Sequence, residues 1–115
     1  MTISYMAVPG IKFRRFDSDS DAYKREKIIS ATCAMRGVSF QQVKSKSRKL
    51  NIAYSRHTIA YLIRKHTVTT LSSIGKLLGD RDHTTIIHCV DHMNNLLDTD
   101  PVVVRDIADI ESILK

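Results

Sequence analysis

The chain has 115 residues, with 18 Lys or Arg, 12 Asp or Glu, five His, two Cys and no Trp; 43% is apolar and only 6% aromatic. That length fits one domain, excludes a large multidomain enzyme within these residues, and suits an aliphatic helical core better than an aromatic-rich β-sandwich. The net charge of +6 is unevenly spread: residues 1–66 hold 14 basic and 4 acidic side chains, residues 67–115 hold 4 and 8, and residues 27–79 hold ten Lys or Arg and no acid. Such one-sidedness points to a polyanionic partner, either nucleic acid or an acidic membrane surface, the alternative being a merely soluble basic domain.

Residues 1–19 read as a flexible N-terminal arm, and 20–115 as the domain. The arm contains a Pro9-Gly10 turn and a Lys12-Phe13-Arg14-Arg15-Phe16 run that interleaves basic and aromatic residues. It has the pattern of a nucleic-acid contact, and equally that of a solvated tail. A first helix is expected over 20–36, with Ile28, Ile29, Cys33 and Met35 inward and Gly37 as its stop. A short helix follows, capped by Ser39, with Phe40 and Val43 inward. The polar, basic stretch 44–49 reads as a loop. A third helix over 52–66 repeats Ile52, Arg56, Ile59, Leu62, Ile63 and His66 at helical spacing.

Thr70 caps a short helix over 71–78 with Leu71, Ile74, Leu77 and Leu78 inward. Gly75 weakens it by about 1 kcal/mol relative to Ala, so its presence implies close approach of another helix. Gly79 ends it with positive φ, and Asp82 caps a longer helix over 83–97 whose inner face is Ile86, Ile87, Val90, Met93 and Leu97. A last helix opens at Asp100-Pro101, with Val103, Val104, Ile107, Ile110 and Leu114 as its stripe. No strand competes, so the fold class is all-α, with five to six helices. Cys33 and Cys89 lie in apolar patterns without C-x-x-C spacing and read as two buried free thiols of a reducing compartment. No secretory signal or membrane-spanning run is present, and the expected location is the cytoplasm, at the nucleoid.

A short helix, a glycine turn and a longer helix make a helix-turn-helix, whose second helix reads base edges in the major groove with its first residues. Those residues are Asp82, His83, Thr84 and Thr85, all able to hydrogen-bond base edges. The same spacing also describes an ordinary capped helix. Catalysis finds no support: there is no nucleophile elbow for Ser72 or Ser73, and no G-x-x-x-x-G-K-[ST] loop for a nucleotide. His88 and His92 are spaced as a metal pair, but no third ligand has compelling spacing. No cofactor, metal or nucleotide is expected.

The run Ile74-Gly75-Lys76-Leu77-Leu78-Gly79-Asp80-Arg81-Asp82-His83-Thr84-Thr85-Ile86-Ile87-His88 resembles the signature of the C-terminal DNA-binding domain of DnaA, the bacterial chromosomal replication initiator. The stretches 43–48 and 53–62 resemble that family's basic loop and the start of its long helix, so the likeness covers about residues 22–114. It implies an all-helical domain that binds short duplex boxes sequence-specifically, one monomer per box, in replication initiation, its regulation or transcription regulation. It implies that Asp82, His83, Thr84 and Thr85 face bases and that Arg48 enters the adjacent minor groove. It also implies that Lys44, Lys46, Lys49, Arg56, His57, Arg64, Arg81, His88 and the amides of Leu71 and Ser72 hold the DNA backbone. Asp80 departs from the family's second glycine, and Ser47 interrupts a run that is usually more densely basic. The ATPase domain that precedes this one in the initiator has no counterpart in residues 1–19, so the expectation is a stand-alone regulator, a mobile-element or phage protein, or an excised fragment. The alternative is a protein-interaction module that docks a replication or regulatory protein through its acidic half and its arm, with the reading helix vestigial.

Overall fold

The computed structural model describes residues 19–114. Among them are six α-helices and no strand: α1 Asp19–Arg36, α2 Phe40–Lys44, α3 Leu50–His66, α4 Leu71–Leu77, α5 His83–Thr99 and α6 Pro101–Ile113. The all-α expectation and the order of elements hold, with α3 starting two residues early. The arm's Pro9-Gly10 turn and its Lys12–Phe16 run lie outside the described residues.

The helix boundaries follow from local chemistry. The Ser39 hydroxyl accepts the Gln42 amide at 3.1 Å while Gln42 Oε1 accepts the Ser39 amide at 2.9 Å, a reciprocal capping box. The Thr70 hydroxyl accepts the Ser73 amide at 3.1 Å. The Asp100 carboxylate accepts the Val102 amide at 3.0 Å, and Pro101 opens α6 where its missing N–H costs nothing.

Helix α3 is the centre of the domain and packs on α1, α2, α4 and α5, while α6 closes the bundle against α1 and α5. Its Ile59, Leu62 and Ile63 are fully buried, each contributing about 1.5–3 kcal/mol. Hydrogen bonds pin both its ends. Arg36 Nε donates to Asn51 Oδ1 and Asn51 Nδ2 to the Arg36 carbonyl, both at 2.8 Å, and the Tyr54 hydroxyl donates to Asp106 at 3.1 Å. At the far end Glu111 of α6 accepts Lys65 Nζ at 2.7 Å and meets His66 Nε2 at 2.6 Å. Asp106 and Glu111, part of the acidic half, are thus engaged within the domain.

Four expected inward residues are placed differently. Met35 is 40% exposed, because the chain reverses at Gly37 (φ 68°) and Val38 folds back onto the core, its amide donating to the Cys33 carbonyl at 3.1 Å. Thr32 fills the inward row of α1, and Cys33 is only half-buried. On α5 the buried row is Ile86, Cys89 and Met93, which sets Ile87 about 100° round the helix and 38% exposed. Val104 is likewise exposed beside the buried row Val103, Ile107 and Ile110.

Candidate nucleic-acid interface

Helices α4 and α5 meet through a turn built on two glycines. A Cβ on Gly75 would lie 2.0 Å from the Arg81 carbonyl oxygen, and the Gly75 carbonyl accepts the Arg81 amide at 2.8 Å. Gly75 therefore admits the backbone of the turn, where the sequence pattern implied a neighbouring helix. Gly79 has φ 95°, as expected, and Asp80 follows at φ 59°, left-handed geometry that Asp tolerates better than most residues.

The turn aims the start of α5 outward. Asp82, His83, Thr84 and Thr85 are all exposed, while Ile86 directly behind them is fully buried and anchors the helix. Asp82 occupies the cap position but its carboxylate makes no cap bond; it lies 3.2 Å from His83 Nδ1 instead. The first-turn amides of α5 thus keep their positive end without a side-chain cap. His88 is exposed one turn further on. At the opening of α4, the Thr70 cap takes the Ser73 amide and not those of Leu71 and Ser72; Ser72 is exposed, and the Leu71 side chain packs on the core.

The loop between α2 and α3 is the second part of the surface. Lys46, Arg48 and Lys49 are exposed, and the Lys44 ammonium sits 5.0 Å from the centre of the Phe40 ring. Serines knit the loop locally. Ser45 Oγ donates to the Gln42 carbonyl at 2.6 Å and accepts the Ser47 amide at 3.2 Å, and Ser47 Oγ accepts the Lys49 amide at 3.3 Å. Ser47, which in the sequence only interrupts a basic run, is part of what shapes it.

Two arginines expected against DNA turn to the protein's own backbone. Arg56 is buried: its Nε donates to the Val43 carbonyl at 2.8 Å, and its Nη2 to the Ser45 and Ser47 carbonyls at 3.0 and 3.2 Å. Half-buried Arg81 reaches across from the turn, with Nη2 donating to the Ser45 carbonyl at 2.6 Å and Nη1 to the carbonyls of Lys44 and Leu78. Burial first, then the nearby Arg81 charge, lowers the pKa of Arg56, which as an arginine stays a cation. The physical reason for the inward turn is the carbonyl cluster itself, which accepts both cations.

His57 is half-buried on α3, its ring edge-on to that of His92 at 5.1 Å between centroids. Burial first, then His92, Arg56 and Arg81, lowers its imidazole to about 4, so it is neutral at pH 7. Arg64 is exposed two turns further along α3, roughly 10 Å from His57 by helical rise. One cation was missed in the sequence. Lys76 is exposed and lines a shallow depression with Ser72, Asp80, Arg81, Asp82 and His83; its place one turn after Ser72 on α4 was the available signal.

An all-α bundle that presents a glycine-turned helix pair beside a basic loop defines a helix-turn-helix DNA-binding domain. The family model described as the bacterial dnaA protein helix-turn-helix matches residues 25–92. The chain belongs to this family. It is 36% identical over 80 residues, 70% of its length, to the chromosomal replication initiator protein DnaA of Gloeobacter violaceus, and 34% identical over 95 residues, 80% of its length, to that of Roseiflexus castenholzii. The DnaA of Porphyromonas gingivalis is 39% identical over 69 residues. The chain spans 18% and 20% of the length of the first two of these relatives.

Proposed function

We propose that this chain binds double-stranded DNA sequence-specifically at DnaA-box-like sites, one monomer per site and without catalysis, in replication initiation or its regulation. The observation that carries the reading is the exposed first turn of α5, polar at four successive positions and anchored by buried Ile86, beside an exposed basic loop. In this reading Asp82, His83, Thr84 and Thr85 contact base edges and Arg48 enters the minor groove, where a planar cation suits the narrow, negative floor. Lys44, Lys46, Lys49, Arg64, His88 and the amides of Leu71 and Ser72 hold phosphates, with Lys76 added to them. His57 takes part as a neutral donor. Two carboxylates of the acidic half, Asp106 and Glu111, bond within the domain, which leaves less of that half for a docked protein.

Selection from a random duplex pool tests the reading. A recovered consensus resembling a DnaA box is the expected result, with Arg48→Ala and Thr85→Ala each weakening binding to it by about 1–3 kcal/mol. Equal affinity for scrambled duplex would refute sequence specificity. Recovery of a protein partner with no DNA affinity would favour the interaction-module alternative.

A further inference from the structure

We propose that Arg56 and Arg81 are positioning residues that lock the basic loop to the turn ahead of α5, so that the minor-groove arginine and the major-groove helix meet one duplex at a fixed spacing. The proposal rests on the DNA-reading assignment above and adds to it what sets the distance between the two readers.

The geometry centres on one carbonyl. Ser45 O accepts Arg56 Nη2 at 3.0 Å from the α3 side and Arg81 Nη2 at 2.6 Å from the side of the turn. Around it, Arg56 also takes the carbonyls of Val43 and Ser47, and Arg81 those of Lys44 and Leu78. Leu78 caps the C-terminus of α4 and Ser47 precedes Arg48, so Arg81 bonds both the recognition motif and the loop, while Arg56 carries the hold to the residue beside Arg48. The other bonds that shape the loop are serine turns spanning two or three residues, which fix its local form but not its place relative to α5. Gly79 completes the junction: a Cβ there would lie 2.2 Å from the Lys44 carbonyl oxygen. The guanidinium's rigid fork spreads its donors over carbonyls on different sides, whereas an ammonium gathers its three donors on one atom, so lysine keeps the charge and loses the lock.

The competing role for these arginines is direct phosphate contact, and charge accounting separates the two. A phosphate contact adds to counterion release on any duplex, whereas a lock acts only through what it positions. The experiment measures binding of Arg56→Lys and Arg81→Lys, each alone and combined with Arg48→Ala, to the duplex that the parent selects from the random pool and to a scrambled duplex. Amide exchange of Ser47 and Lys49 is followed in parallel. The lock predicts about a tenfold loss on the selected duplex for Arg81→Lys, with scrambled-duplex affinity and salt dependence unchanged. It predicts that this loss falls below about twofold when Arg48 is already Ala, because the arginine being positioned is gone. It also predicts faster exchange at Ser47 and Lys49 with the amides of α3 unaffected. If Arg56→Lys fails to fold, half-buried Arg81→Lys carries the test alone. Equal losses on both duplexes for Arg81→Lys, unchanged binding to both, or a full loss persisting without Arg48 would each overturn the proposal. Parent protein that selects no sequence would refute the DNA-reading assignment instead, while the exchange rates would still report whether the loop is locked.

Discussion

Asp80 is the residue at which backbone geometry and electrostatics both run against the expected function. Its φ of 59° costs an L-residue about 1–2 kcal/mol, and it places a carboxylate on the exposed turn beside Lys76 and Asp82. Asp80→Gly relieves the strain but gives the unfolded chain more freedom, so stability is expected to change by less than about 1 kcal/mol. DNA affinity is expected to rise several-fold, with the gain shrinking as salt screens the lost charge. Titrations at low and high salt check this; equal affinities of variant and parent at low salt would mean that the carboxylate does not feel the phosphates. His57 gives the second residue-scale prediction. Its folded-state pKa of about 4 lies below the ordinary 6.5, so the unfolded chain binds more protons between those values. Its contribution is intact above about pH 6.5 and is lost as the pH falls toward 4. Urea midpoints are expected to drop between pH 7 and 5 in the parent and to drop less in His57→Gln.

Among the elements, the α4–turn–α5 unit depends on absent side chains. Gly75→Ala places a methyl group 2.0 Å from the Arg81 carbonyl oxygen, which backbone cannot yield cheaply. A loss of about 2–3 kcal/mol in thermal or urea unfolding is expected, with α5 displaced from α4; a parent-like midpoint would show that the turn has slack. The link between α3 and α6 is electrostatic. Burial alone would raise the Glu111 carboxyl, but the hydrogen bonds from Lys65 and His66 prevail and hold it below its ordinary value. That contribution is present above about pH 4.5 and fades as the pH falls through the folded value, a window below that of His57. The helices and the caps at Ser39, Thr70 and Asp100 were legible because these residues, Pro101 and the rows Ile59-Leu62-Ile63 and Val103-Ile107-Ile110 signal within one or two turns of chain, whereas Asp82, read as a cap, makes no cap bond. The outward first turn of α5 was legible for the same reason. The partners of Arg56, Arg81 and Gly75 were not, since those of the arginines lie up to 37 residues away and that of Gly75 is a backbone carbonyl, which carries no side-chain signature. Spacing placed Arg56 on an apolar helical row and only the family resemblance made it a cation for DNA; the carbonyls it bonds could be read from neither.

Across the whole molecule, charge sets how binding responds to salt. The acid-free stretch 27–79 contains the loop cations, Arg56, Arg64 and Lys76, whereas acids of the C-terminal half bond back onto α1 and α3 through Asp106 and Glu111. Two of the eight acids of residues 67–115 are therefore bonded within the domain, and the net charge understates the field that DNA would meet at the acid-free stretch. In the proposed reading the cations held on phosphates are Lys44, Lys46, Lys49, Arg64 and Lys76. Arg56 and Arg81 point into carbonyls and are not counted among them. At about 0.9 counterions per phosphate contact, the logarithm of the binding constant should fall with the logarithm of salt at a slope of about −4.5. A slope nearer about −6 would mean that the two inward arginines also reach phosphates. Specific and scrambled duplexes should share most of that slope, since the loop and α4 cations meet phosphates on either. The affinity gap between the two duplexes should come from Arg48 and the first turn of α5, and should therefore persist at salt concentrations where the shared electrostatic part has faded.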